Sequence, residues 1–509
     1  MSKFTESINN TPAQQVTLKP RKLEPIVNQE NKASIFRKII IDAEIVTKSP
    51  LRIGSGDNDD ITDIMILRDK KGRFFIPGTS LAGVLRAEIV SVYGERVAEK
   101  LFGSIDDDGN QSMLIVNDVI LNNANLTYRD GVSIDPLTGT AIRGAKYDYE
   151  ALERGASGRI NLELTIRYHS MKNTVDFDGY VHDDFKAVDD FYGELAAALA
   201  DLLTVGIRVG SLTSKGFGKI ASKNPACCYE YCFDNKEDAA KWYKYISEEK
   251  QIGNIIYLGT KIKKLVGYSD FSVQLNCALK SSLLIADYNV DEKEIAANKE
   301  NDEDECTISA VQMKNGDSYV IPGTSIKGVL RSTAVKLLLA LNKGNLEKAN
   351  AFVEELMGYA RQNTKESKKS RLVVDEIYIK NSVLTPRKHS RNRIDRFTGG
   401  TINGALYTVE PIWQQDKNKS TVQFDFYVHN CSEAEAGLIL LLIKELWYGN
   451  MAIGSDKSIG RGVFKGIIGK INYKGNTIYV EDDHGYIVVA ENGNLLEGYV
   501  KALVGEING

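Results

Sequence analysis

The stretch "IPGTSLAGVLR" at residues 76–86 returns near the middle of the chain as "IPGTSIKGVLR" at residues 321–331. Nine of the eleven positions are identical, and neither copy has an insertion or a deletion. In each copy the proline ends a strand, the glycine permits a turn, and a hydroxyl side chain is suited to cap a following helix. The repeat predicts the same strand–turn–helix unit twice, with Thr79 or Ser80 as the cap of the first helix.

Further matching segments extend this repeat over most of the chain. They keep the same order in both halves: "GELAAALADLLTVG" (193–206) with "GLILLLIKELWYGN" (437–450), "VGSLTSKGFGK" (209–219) with "IGSDKSIGRGV" (453–463), and "SIDPLTGTAIRGA" (133–145) with "RIDRFTGGTINGA" (393–405). The first two pairs are offset by 244 residues and the third by 260. Fixed offsets at the ends with variable ones between indicate two copies of one domain that differ in their loops.

The order of strand and helix patterns is also the same in the two copies. Each copy has a strand, a strand that ends in Ile-Pro-Gly, a helix, further strands, an apolar helix, a glycine-rich loop and a closing strand. This order predicts the α+β class, with two tandem ferredoxin-like domains whose antiparallel sheets carry helices on one face, plus inserted hairpins and loops. The expected parts are a polar N-terminal arm (1–35), a first domain (36–225), a linker with a short helix (226–261), and a second domain with a C-terminal extension (262–509).

Composition limits the class of protein. The 509 residues are 43% hydrophobic and 26% charged, which is typical of a globular protein with more than one domain. No apolar run is long enough for a transmembrane helix, the polar N-terminus lacks the apolar core of a secretory signal, and the six cysteines are mostly scattered. We therefore expect a cytoplasmic protein without a membrane partner. The net charge of −4 leaves a nucleic-acid partner open, since backbone N–H groups can hold phosphate without adding formal charge.

The repeated motif could be a capped helix start or an anion site. Its glycines match the G-x-x-x-x-G spacing of a nucleotide-binding P-loop, but Val84 and Val329 stand where that loop requires lysine. A P-loop is therefore excluded. Exposed N–H groups at the helix start, with nearby hydroxyls, remain suited to phosphate, and Arg86 and Arg331 lie one to two turns further on.

The two glycine-rich loops mix glycine, serine and basic residues. This composition suits a backbone nest that wraps an anion, or else a flexible connection. The residues concerned are Ser211, Ser214, Lys215 and Gly216 in the first loop and Ser455, Lys457, Ser458 and Arg461 in the second.

Cysteine and histidine give no comparable pattern. The segment "ACCYEYC" (226–232) is at best a partial metal set, because it lacks a second cysteine pair or a nearby histidine. The five histidines are dispersed and form no catalytic arrangement with Cys, Ser or Asp. We expect no structural metal and interpret the three cysteines as small buried or edge residues.

Taken together, the Ile-Pro-Gly-Thr-Ser helix start, the "LFG" at 101–103, the "ID..TG" segments and the G-S-x-x-S-x-G-x-G loop resemble the RAMP superfamily of CRISPR proteins. Each half is similar to the repeated backbone subunit, of the Cas-seven type, in type III effector complexes. Two such units in one chain look like the tandem subunits of multi-domain type III systems. The resemblance covers nearly the whole chain except the arm, the linker and about the last thirty residues.

The resemblance implies that guide RNA binds along both domains. The helix starts and glycine-rich loops would hold its phosphates, through Thr79, Ser80, Arg86, Ser211, Ser214, Lys215 and Gly216 in the first domain and Thr324, Ser325, Lys327, Arg331, Ser455, Lys457, Ser458 and Arg461 in the second. Implied partners are the guide RNA, a single-stranded target RNA, other RAMP backbone subunits and the large signalling subunit of a type III complex.

The resemblance also implies that the "ID..TG" segments lie on hairpins that splay the guide–target duplex. The residues concerned are Ile134, Asp135 and Thr138 in the first domain and Ile394, Asp395 and Arg396 in the second. The basic flank "PRKHSRNRIDR" (386–396) suits contact with RNA, because clustered Lys and Arg supply phosphate affinity.

In this family an aspartate ahead of the second strand is the target-cleaving residue, and the matching position here is Asp63, six residues ahead of Asp69. A carboxylate there could take the proton of a 2′-hydroxyl or hold Mg²⁺ or another divalent cation, so Asp63 is also the candidate metal ligand. The neighbouring loop acids are surface alternatives: Asp57, Asp59 and Asp60. Ser309 stands at the matching place in the second domain, which we expect to be inactive unless Asp302 or Asp304 folds back.

Three other functions stay open on the sequence alone. The chain could be the same RNA-binding scaffold without cleavage, or a guide-RNA-processing endoribonuclease from another RAMP branch. The second fits less well, because each half has its own glycine-rich loop and no histidine precedes His169. The third is a two-domain protein that does not bind nucleic acid.

Overall fold

The structure is a computed structural model, and it describes the following ranges of the chain: residues 35–56, 64–104, 111–135, 138–167, 174–175, 181–182, 185–248, 253–257, 270–287, 308–360, 366–380, 383–414, 422–489 and 491–509. Within these ranges no helix has the length and apolar character needed to cross a bilayer.

The first half contains thirteen strands and four helices within the described ranges. In chain order they are β1 (Ile35–Thr47), β2 (Phe75–Ile76), α1 (Gly78–Tyr93), α2 (Glu95–Phe102), β3 (Leu114–Val116), β4 (Val119–Ile120), β5 (Leu126–Ile134), β6 (Ala141–Leu152), β7 (Ser157–Arg167), β8 (Thr174–Val175), β9 (Val181–His182), α3 (Phe185–Val205), β10 (Ile207–Arg208), β11 (Lys219–Ser222), β12 (Cys227–Cys232), α4 (Lys236–Glu248) and β13 (Asn254–Tyr257).

The second half repeats this order with a different end. Its elements are β14 (Phe271–Leu279), β15 (Ser282–Leu283), β16 (Ala286–Asp287), β17 (Ile308–Gln312), β18 (Lys314–Asn315), β19 (Ser318–Ile321), α5 (Gly323–Leu341), α6 (Leu346–Met357), β20 (Tyr359–Ala360), β21 (Ser367–Lys368), β22 (Leu372–Val374), β23 (Ile377–Lys380), β24 (Leu384–Pro386), β25 (His389–Arg391), β26 (Tyr407–Glu410), β27 (Ile412–Gln414), β28 (Val422–Val428), α7 (Glu433–Tyr448), β29 (Phe464–Tyr473), β30 (Asn476–Asp483), β31 (Tyr486–Val489) and α8 (Gly493–Asn508).

The main sheets of the two halves have the same arrangement. In the first, β1 is central, with β7 and then β3 on one side and β11 and β12 on the other, all antiparallel. In the second, β14 is central, with β28 and then β22 on one side and β29 on the other, again antiparallel. The predicted α+β class and the predicted duplication are confirmed by these sheets and their helices.

Each domain has its own apolar core between the sheet and its helices. Along β1 the side chains of Ile39, Ile41 and Ile45 are buried in the core of the first domain. Helix α1 contributes Leu81 and Leu85, spaced by four residues on one helical face. The second core is built in the same way and also includes residues of α8, so the C-terminal extension belongs to the second domain.

Helices cover both faces of the first sheet, and not the one face that the sequence predicted. Ile40 points away from the main core and packs with Tyr231 of β12 and Trp242 of α4. The run Ile39–Ile41 is apolar at consecutive positions, which is the pattern of a strand buried on both faces. The segment expected as a linker therefore contributes α4 to this second layer, and its strand β12 pairs with β1.

Helices α1 and α5 begin at the glycine of each repeated motif, with the proline as N-cap and without a side-chain cap. The predicted cap at Thr79 or Ser80 is therefore wrong, because both residues already lie in the first helical turn. The glycine is required by close packing: a Cβ at Gly78 would lie 2.2 Å from the Val116 carbonyl oxygen. The Gly78 N–H donates to Oδ1 of Asp118 at 2.7 Å.

Two glycines of α1 give a matched test of this packing. We expect Gly78→Ala to lower the free energy of unfolding by about 2–3 kcal/mol, since the added methyl group meets a backbone carbonyl. Gly83 has open space around it, so Gly83→Ala should raise the free energy of unfolding by about 1 kcal/mol through helix propensity. Urea unfolding followed by circular dichroism measures both, and equal shifts for the two variants would contradict the close contact at Gly78.

Candidate nucleic-acid interface

The two glycine-rich loops have the same backbone conformation. Positive φ angles recur at matching places in the two loops: Gly210, Leu212, Gly216 and Gly218 in the first and Gly454, Asp456, Gly460 and Gly462 in the second. A short 3₁₀ turn lies at the centre of each, Thr213–Lys215 and Lys457–Ile459. The sequence match at an offset of 244 residues is therefore also a structural match.

The first loop lies between the two domains. A Cβ at Gly216 would be 2.6 Å from the backbone nitrogen of Glu376, in the turn between β22 and β23. A Cβ at Gly323, the first residue of α5, would be 2.3 Å from the carbonyl oxygen of Lys215. We call this contact, of the first loop with the start of α5 and the β22–β23 turn, the domain junction.

Lys327 belongs to the domain junction. Its Nζ lies within hydrogen-bond distance of three oxygens: the carbonyl oxygen of Ser214 at 3.2 Å, Oγ of Ser370 at 2.6 Å and the carbonyl oxygen of Leu372 at 2.8 Å. Burial, with the nearby cations Lys215 and Arg331, lowers the pKa of Lys327 to about 6. Lys327, which the sequence predicted to bind RNA, thus contacts protein groups in the structure. Its role in RNA binding stays a prediction.

A buried ion pair joins the domains beside Lys327. Arg129 of β5 binds both carboxylate oxygens of Glu376, at 2.6 and 3.2 Å, and also Glu153 at 2.8 Å. The side chains of Arg129 and Glu376 are 3% and 0% exposed. Burial opposes the charge on Arg129, yet the two carboxylates raise the pKa of its guanidinium well above the ordinary value.

More polar contacts surround this pair. Arg208 pairs with Asp375, and Lys219 lies 3.6 Å from the same carboxylate. Arg154 donates to Oγ of Ser318 at 2.9 Å. Sequence reasoning found none of these residues, because no local pattern links side chains as far apart as Arg129 and Glu376, which are 247 positions apart.

The predicted residues of the two helix starts differ in their surroundings. Thr79 is exposed, whereas Ser80, Thr324 and Ser325 are partly buried. At the first helix start the carboxylate of Asp118 already occupies the N–H of Gly78. An anion does lie there, but it is supplied by the protein.

The two predicted arginines contact protein groups next to their helices. Arg86 forms an ion pair with Glu95 of α2, and its side chain is 38% exposed. Arg331 donates to the carbonyl oxygens of Met357 and Gly358, at the end of α6, at 2.8 and 2.6 Å. Burial lowers the pKa of Arg331.

The second glycine-rich loop is more open. Lys457 and Ser458 are exposed, Ser455 is partly buried and Ser211 of the first loop is exposed. Arg461 is 3% exposed and forms an ion pair with Asp456 at 3.3 Å. We therefore regard Lys457 and Ser458 as the parts of this loop that are accessible to a ligand.

Arg461 also lies at the base of the second hairpin. Its Nη2 is 3.3 Å from Nδ1 of His389, and Arg391 shares its Asp456 partner at 3.1 Å. Burial and the cations Arg461, Arg391 and Arg387 lower the pKa of His389. Within the described residues this hairpin base therefore has an excess of positive charge.

The "ID..TG" segments form the tips of two antiparallel hairpins. In the first, β5 pairs with β6 from Leu126↔Leu152 to Ile134↔Ala141. In the second, Ile394 bridges Thr401. Each tip aspartate has the same backbone bond: Asp135 N–H donates to Thr140 and Asp395 N–H to Gly400, both at 2.9 Å.

The aspartates hold the tips while apolar side chains extend outward. Oδ1 of Asp395 accepts N–H bonds from Phe397 and Thr398, both at 2.8 Å, and these bonds lower its pKa. Thr138 N–H donates to Asp135 in the first tip, at 3.2 Å. The exposed side chains of the tips are Ile134 (48%), Ile394 (62%) and Phe397 (99%). Arg396 is exposed as well, and Phe397 is a residue that the sequence analysis did not single out.

Asp63 and its neighbours Asp57, Asp59 and Asp60 lie outside the described residues, as do Asp302 and Asp304. The next residue, Ile64, makes a parallel bridge to Tyr149, and in the second domain Ala310 pairs in parallel with Val409. These two bridges are equivalent, since Val409 lies 260 positions after Tyr149, so they support the alignment of Asp63 with Ser309.

The segment that follows Asp63 packs on the base of the first hairpin. Ile64 lies in an apolar cluster with Tyr149 and with Leu212 and Phe217 of the first glycine-rich loop. In the described ranges no group of three or more His, Cys, Asp or Glu side chains is arranged to hold a metal ion.

Fold and site together define a protein with two matched α+β domains, each with a glycine-rich loop beside a protruding hairpin. The sequence model of the RAMP superfamily matches residues 44–221 and 285–465, one match in each half. The matches cover more than half of the chain, and the chain therefore belongs to the RAMP superfamily.

Two curated relatives each match a part of this chain that is about as long as one domain. One is "CRISPR system Cms endoribonuclease Csm3" of Streptococcus thermophilus, 28% identical over 228 compared residues, with 36% of this chain and 87% of that protein covered. The other has the same name and comes from Methanocaldococcus jannaschii, 24% identical over 253 residues, 44% of this chain and 90% of that protein.

The buried amine of Lys327 predicts a pH-dependent junction. Its folded pKa, about 6, lies below the unfolded value of 10.5, so between these pH values the unfolded chain binds a proton that the folded chain does not. The free energy of unfolding should therefore rise with pH in this window, by up to about 1.4 kcal/mol per pH unit from this group. We expect Lys327→Met to remove that part of the slope.

Urea unfolding of wild type and Lys327→Met at pH 7 and pH 9 checks this expectation. Lys380→Met, which removes an exposed amine from β23, is the matched control. Parallel pH profiles for wild type and Lys327→Met would show that the amine does not lose its proton on folding.

Proposed function

We propose that this chain is a guide-RNA-binding backbone subunit of a type III CRISPR ribonucleoprotein, built from two ferredoxin-like domains, that takes part in antiviral defence. In this proposal the first domain cleaves target RNA paired to the guide, and the second does not. The observation that carries it is the duplicated site, a glycine-rich loop beside an exposed hairpin, in a RAMP chain whose relatives are named CRISPR endoribonucleases. Other RAMP subunits and the large signalling subunit would be its partners in the complex.

Guide RNA would contact groups that the domain junction leaves accessible. Thr79 and Ser211 are exposed in the first domain, and Lys457 and Ser458 in the second. Hydroxyl and ammonium groups of this kind bind phosphate oxygens without reading the bases, which suits a subunit that must accept any guide sequence.

The hairpin tips would interrupt the duplex between guide and target. A fully exposed Phe397 has no stabilising role in the folded chain, whereas stacking of a nucleobase on an aromatic ring contributes about 1–3 kcal/mol. Ile134 in the first tip and Ile394 in the second offer apolar contact of the same kind. Two tips on one chain would distort the duplex at two places, one for each domain.

Cleavage would take place at a nucleotide displaced by the first tip. The 2′-oxygen of that nucleotide attacks the adjacent phosphorus in line, the 5′-oxygen of the next nucleotide leaves, and the products carry a 2′,3′-cyclic phosphate and a 5′-hydroxyl. Asp63 would accept the proton of the 2′-hydroxyl as a general base. Serine cannot do so near neutral pH, and Ser309 is therefore proposed to leave the second domain inactive.

In this proposal Asp63 is the one protein ligand of a divalent cation such as Mg²⁺. A carboxylate beside RNA phosphates is a usual ligand environment for Mg²⁺, which would neutralise charge on the phosphate. The contribution of the cation is tested by chelation, with guide binding measured in parallel.

The proposed cleavage predicts a defined change in the product pattern. In the assembled complex with a paired target RNA, Asp63→Asn should remove one band of the cleavage ladder, because it removes the proposed base and keeps the shape. Ser309→Ala should leave the ladder unchanged. Denaturing gel electrophoresis measures both, and the ratio of absorbance at 260 and 280 nm of the purified protein reports the bound guide.

The same measurements separate the alternatives. An unchanged ladder for Asp63→Asn, with RNA still bound, would favour a scaffold without cleavage. Cleavage of repeat RNA by the isolated chain would favour a guide-processing enzyme, and absence of bound RNA would contradict the proposal as a whole.

A further inference from the structure

Arg52 is a buried arginine to which the described part of the chain offers no carboxylate. It lies in the segment that follows β1 and is 7% exposed. Its guanidinium forms no hydrogen bond or ion pair with the described residues, and its Nε is enclosed by protein atoms. The other buried arginines of the described ranges each pair with an acid: Arg37 with Glu230, Arg129 with Glu376 and Arg461 with Asp456. Burial of a charge without a partner costs free energy, so arginine at this position requires a reason other than stability.

An aromatic ring supports the Arg52 guanidinium. Its Cζ lies over the ring of Tyr149, 4.8 Å from the ring centroid. Tyr149 is itself buried, and its ring stacks on that of Tyr147 at a centroid distance of 5.7 Å. Burial lowers the pKa of Arg52, whereas the two tyrosines raise it. The ring face attracts the positive charge, but the N–H groups in the plane of the guanidinium still require oxygen acceptors.

The backbone places Arg52 next to the segment that begins directly after Asp63. Ile64, the first residue of that segment, bridges Tyr149 and packs in the same apolar cluster. On the other side, the carbonyl oxygen of Arg52 accepts the N–H of Ser211, in the first glycine-rich loop, at 2.8 Å. The guanidinium of Arg52 and the residue that follows Asp63 therefore contact the same tyrosine.

Leu284 stands at the place of Arg52 in the second domain. The carbonyl oxygen of Leu284 accepts the N–H of Ser455 at 2.7 Å, as that of Arg52 accepts the N–H of Ser211. The two serines are equivalent residues of the glycine-rich loops, at the offset of 244 positions. The hydrogen bonds thus identify Leu284 as the counterpart of Arg52.

The surroundings of Leu284 contain no charge. This leucine is 2% exposed and packs with Ala310 and Val409 in one apolar cluster. Through their parallel bridges these two residues are the equivalents of Ile64 and Tyr149. The second domain therefore fills the same place with apolar side chains, which shows that the fold does not require an arginine there.

The arginine and the aspartate are present together or absent together. The first domain has Arg52 and Asp63, whereas the second has Leu284 and Ser309. Guide binding is proposed for both domains and cleavage for the first alone, so a charge confined to the first domain fits the cleavage step. We propose that Arg52 is a second catalytic residue, which binds the scissile phosphate of the target RNA. This inference rests on the proposed function of the first domain.

A guanidinium at this phosphate would stabilise the transition state of the cleavage. Negative charge grows on the two non-bridging oxygens while the 2′-oxygen bonds to phosphorus and the bond to the 5′-oxygen breaks. Paired N–H groups of arginine match two oxygens of one phosphate, a geometry that lysine lacks. The 2′-hydroxyl loses one proton and the 5′-oxygen gains one, so the step needs no further reactant, and Arg52 stays protonated throughout.

Arg52→Leu, which introduces the residue of the second domain, separates cleavage from folding. In the assembled complex with saturating paired target RNA, we expect the single-turnover rate at the Asp63-dependent site to fall by at least about 100-fold, the usual effect of removing one transition-state donor. The urea midpoint of the full chain should be equal to that of wild type or higher, because an unpaired buried charge is removed. Arg52→Lys should recover only part of the rate, since an ammonium group does not bind in a bidentate manner.

Sulfur substitution in the RNA reports the contact itself. Sulfur in place of one non-bridging oxygen of the scissile phosphate weakens the hydrogen bonds made there. At least one of the two phosphorothioate diastereomers should therefore slow wild type more than it slows Arg52→Leu. The control is Arg159→Leu, which removes an arginine of β7 that is 61% exposed and pairs with Asp42. This control should keep the wild-type rate and sulfur effect, and equal sulfur effects in wild type and Arg52→Leu would overturn the inference.

The same assays separate this inference from the proposed function. If Asp63→Asn loses its band while Arg52→Leu cleaves at the wild-type rate, the inference is overturned and the proposed function stands. If Asp63→Asn leaves the ladder unchanged, the proposed cleavage fails first, and the inference fails with it. A lower ratio of absorbance at 260 and 280 nm for Arg52→Leu would assign its phosphate to the guide RNA, which also overturns the inference.

Discussion

The arrangement of the two domains depends on one buried ion pair. Arg129 and Glu376 are almost completely excluded from water, so loss of one charge would leave the other buried with fewer partners. The pair fixes the first hairpin base against the β22–β23 turn, and with it the first glycine-rich loop against α5. Every spacing that an RNA along this chain would meet, from the first helix start to the second hairpin tip, follows from this contact. A loosened junction would leave each domain folded but would lose their register.

The amino-acid sequence was sufficient to predict those features of the fold that are local and repeated. The eleven-residue motif at Ile76 and Ile321, the glycine phases of the loops and the "ID..TG" tips reappear as matching elements, since each is determined by nearby backbone geometry. The junction could not be predicted in this way. Arg129 and Glu376 become neighbours only through the docking of two complete domains, and side-chain patterns contain no information on that relative placement. The burial of Ile40 under α4 was missed for a related reason, because helical layers were expected on one face.

The glycines at the two helix starts are explained by close backbone packing, whereas the sequence analysis considered them as part of an anion site. At Gly78 and Gly323 a side chain would collide with a carbonyl oxygen, of Val116 in one case and of Lys215 in the other. Close approach of backbone is therefore sufficient reason for glycine at both helix starts, without a bound phosphate. The carboxylate of Asp118 at the Gly78 N–H agrees with the general preference of helix N-termini for anions, satisfied here from within the chain.

The two domains also differ at one equivalent position of their repeated helices. Lys327 joins the second domain to the first loop, whereas Ala82, at the same place in α1 of the first domain, has no amine. Because a buried charge without a partner is costly, the charged residues on the two sides of the domain junction depend on each other, and the contact is specific for these two domains.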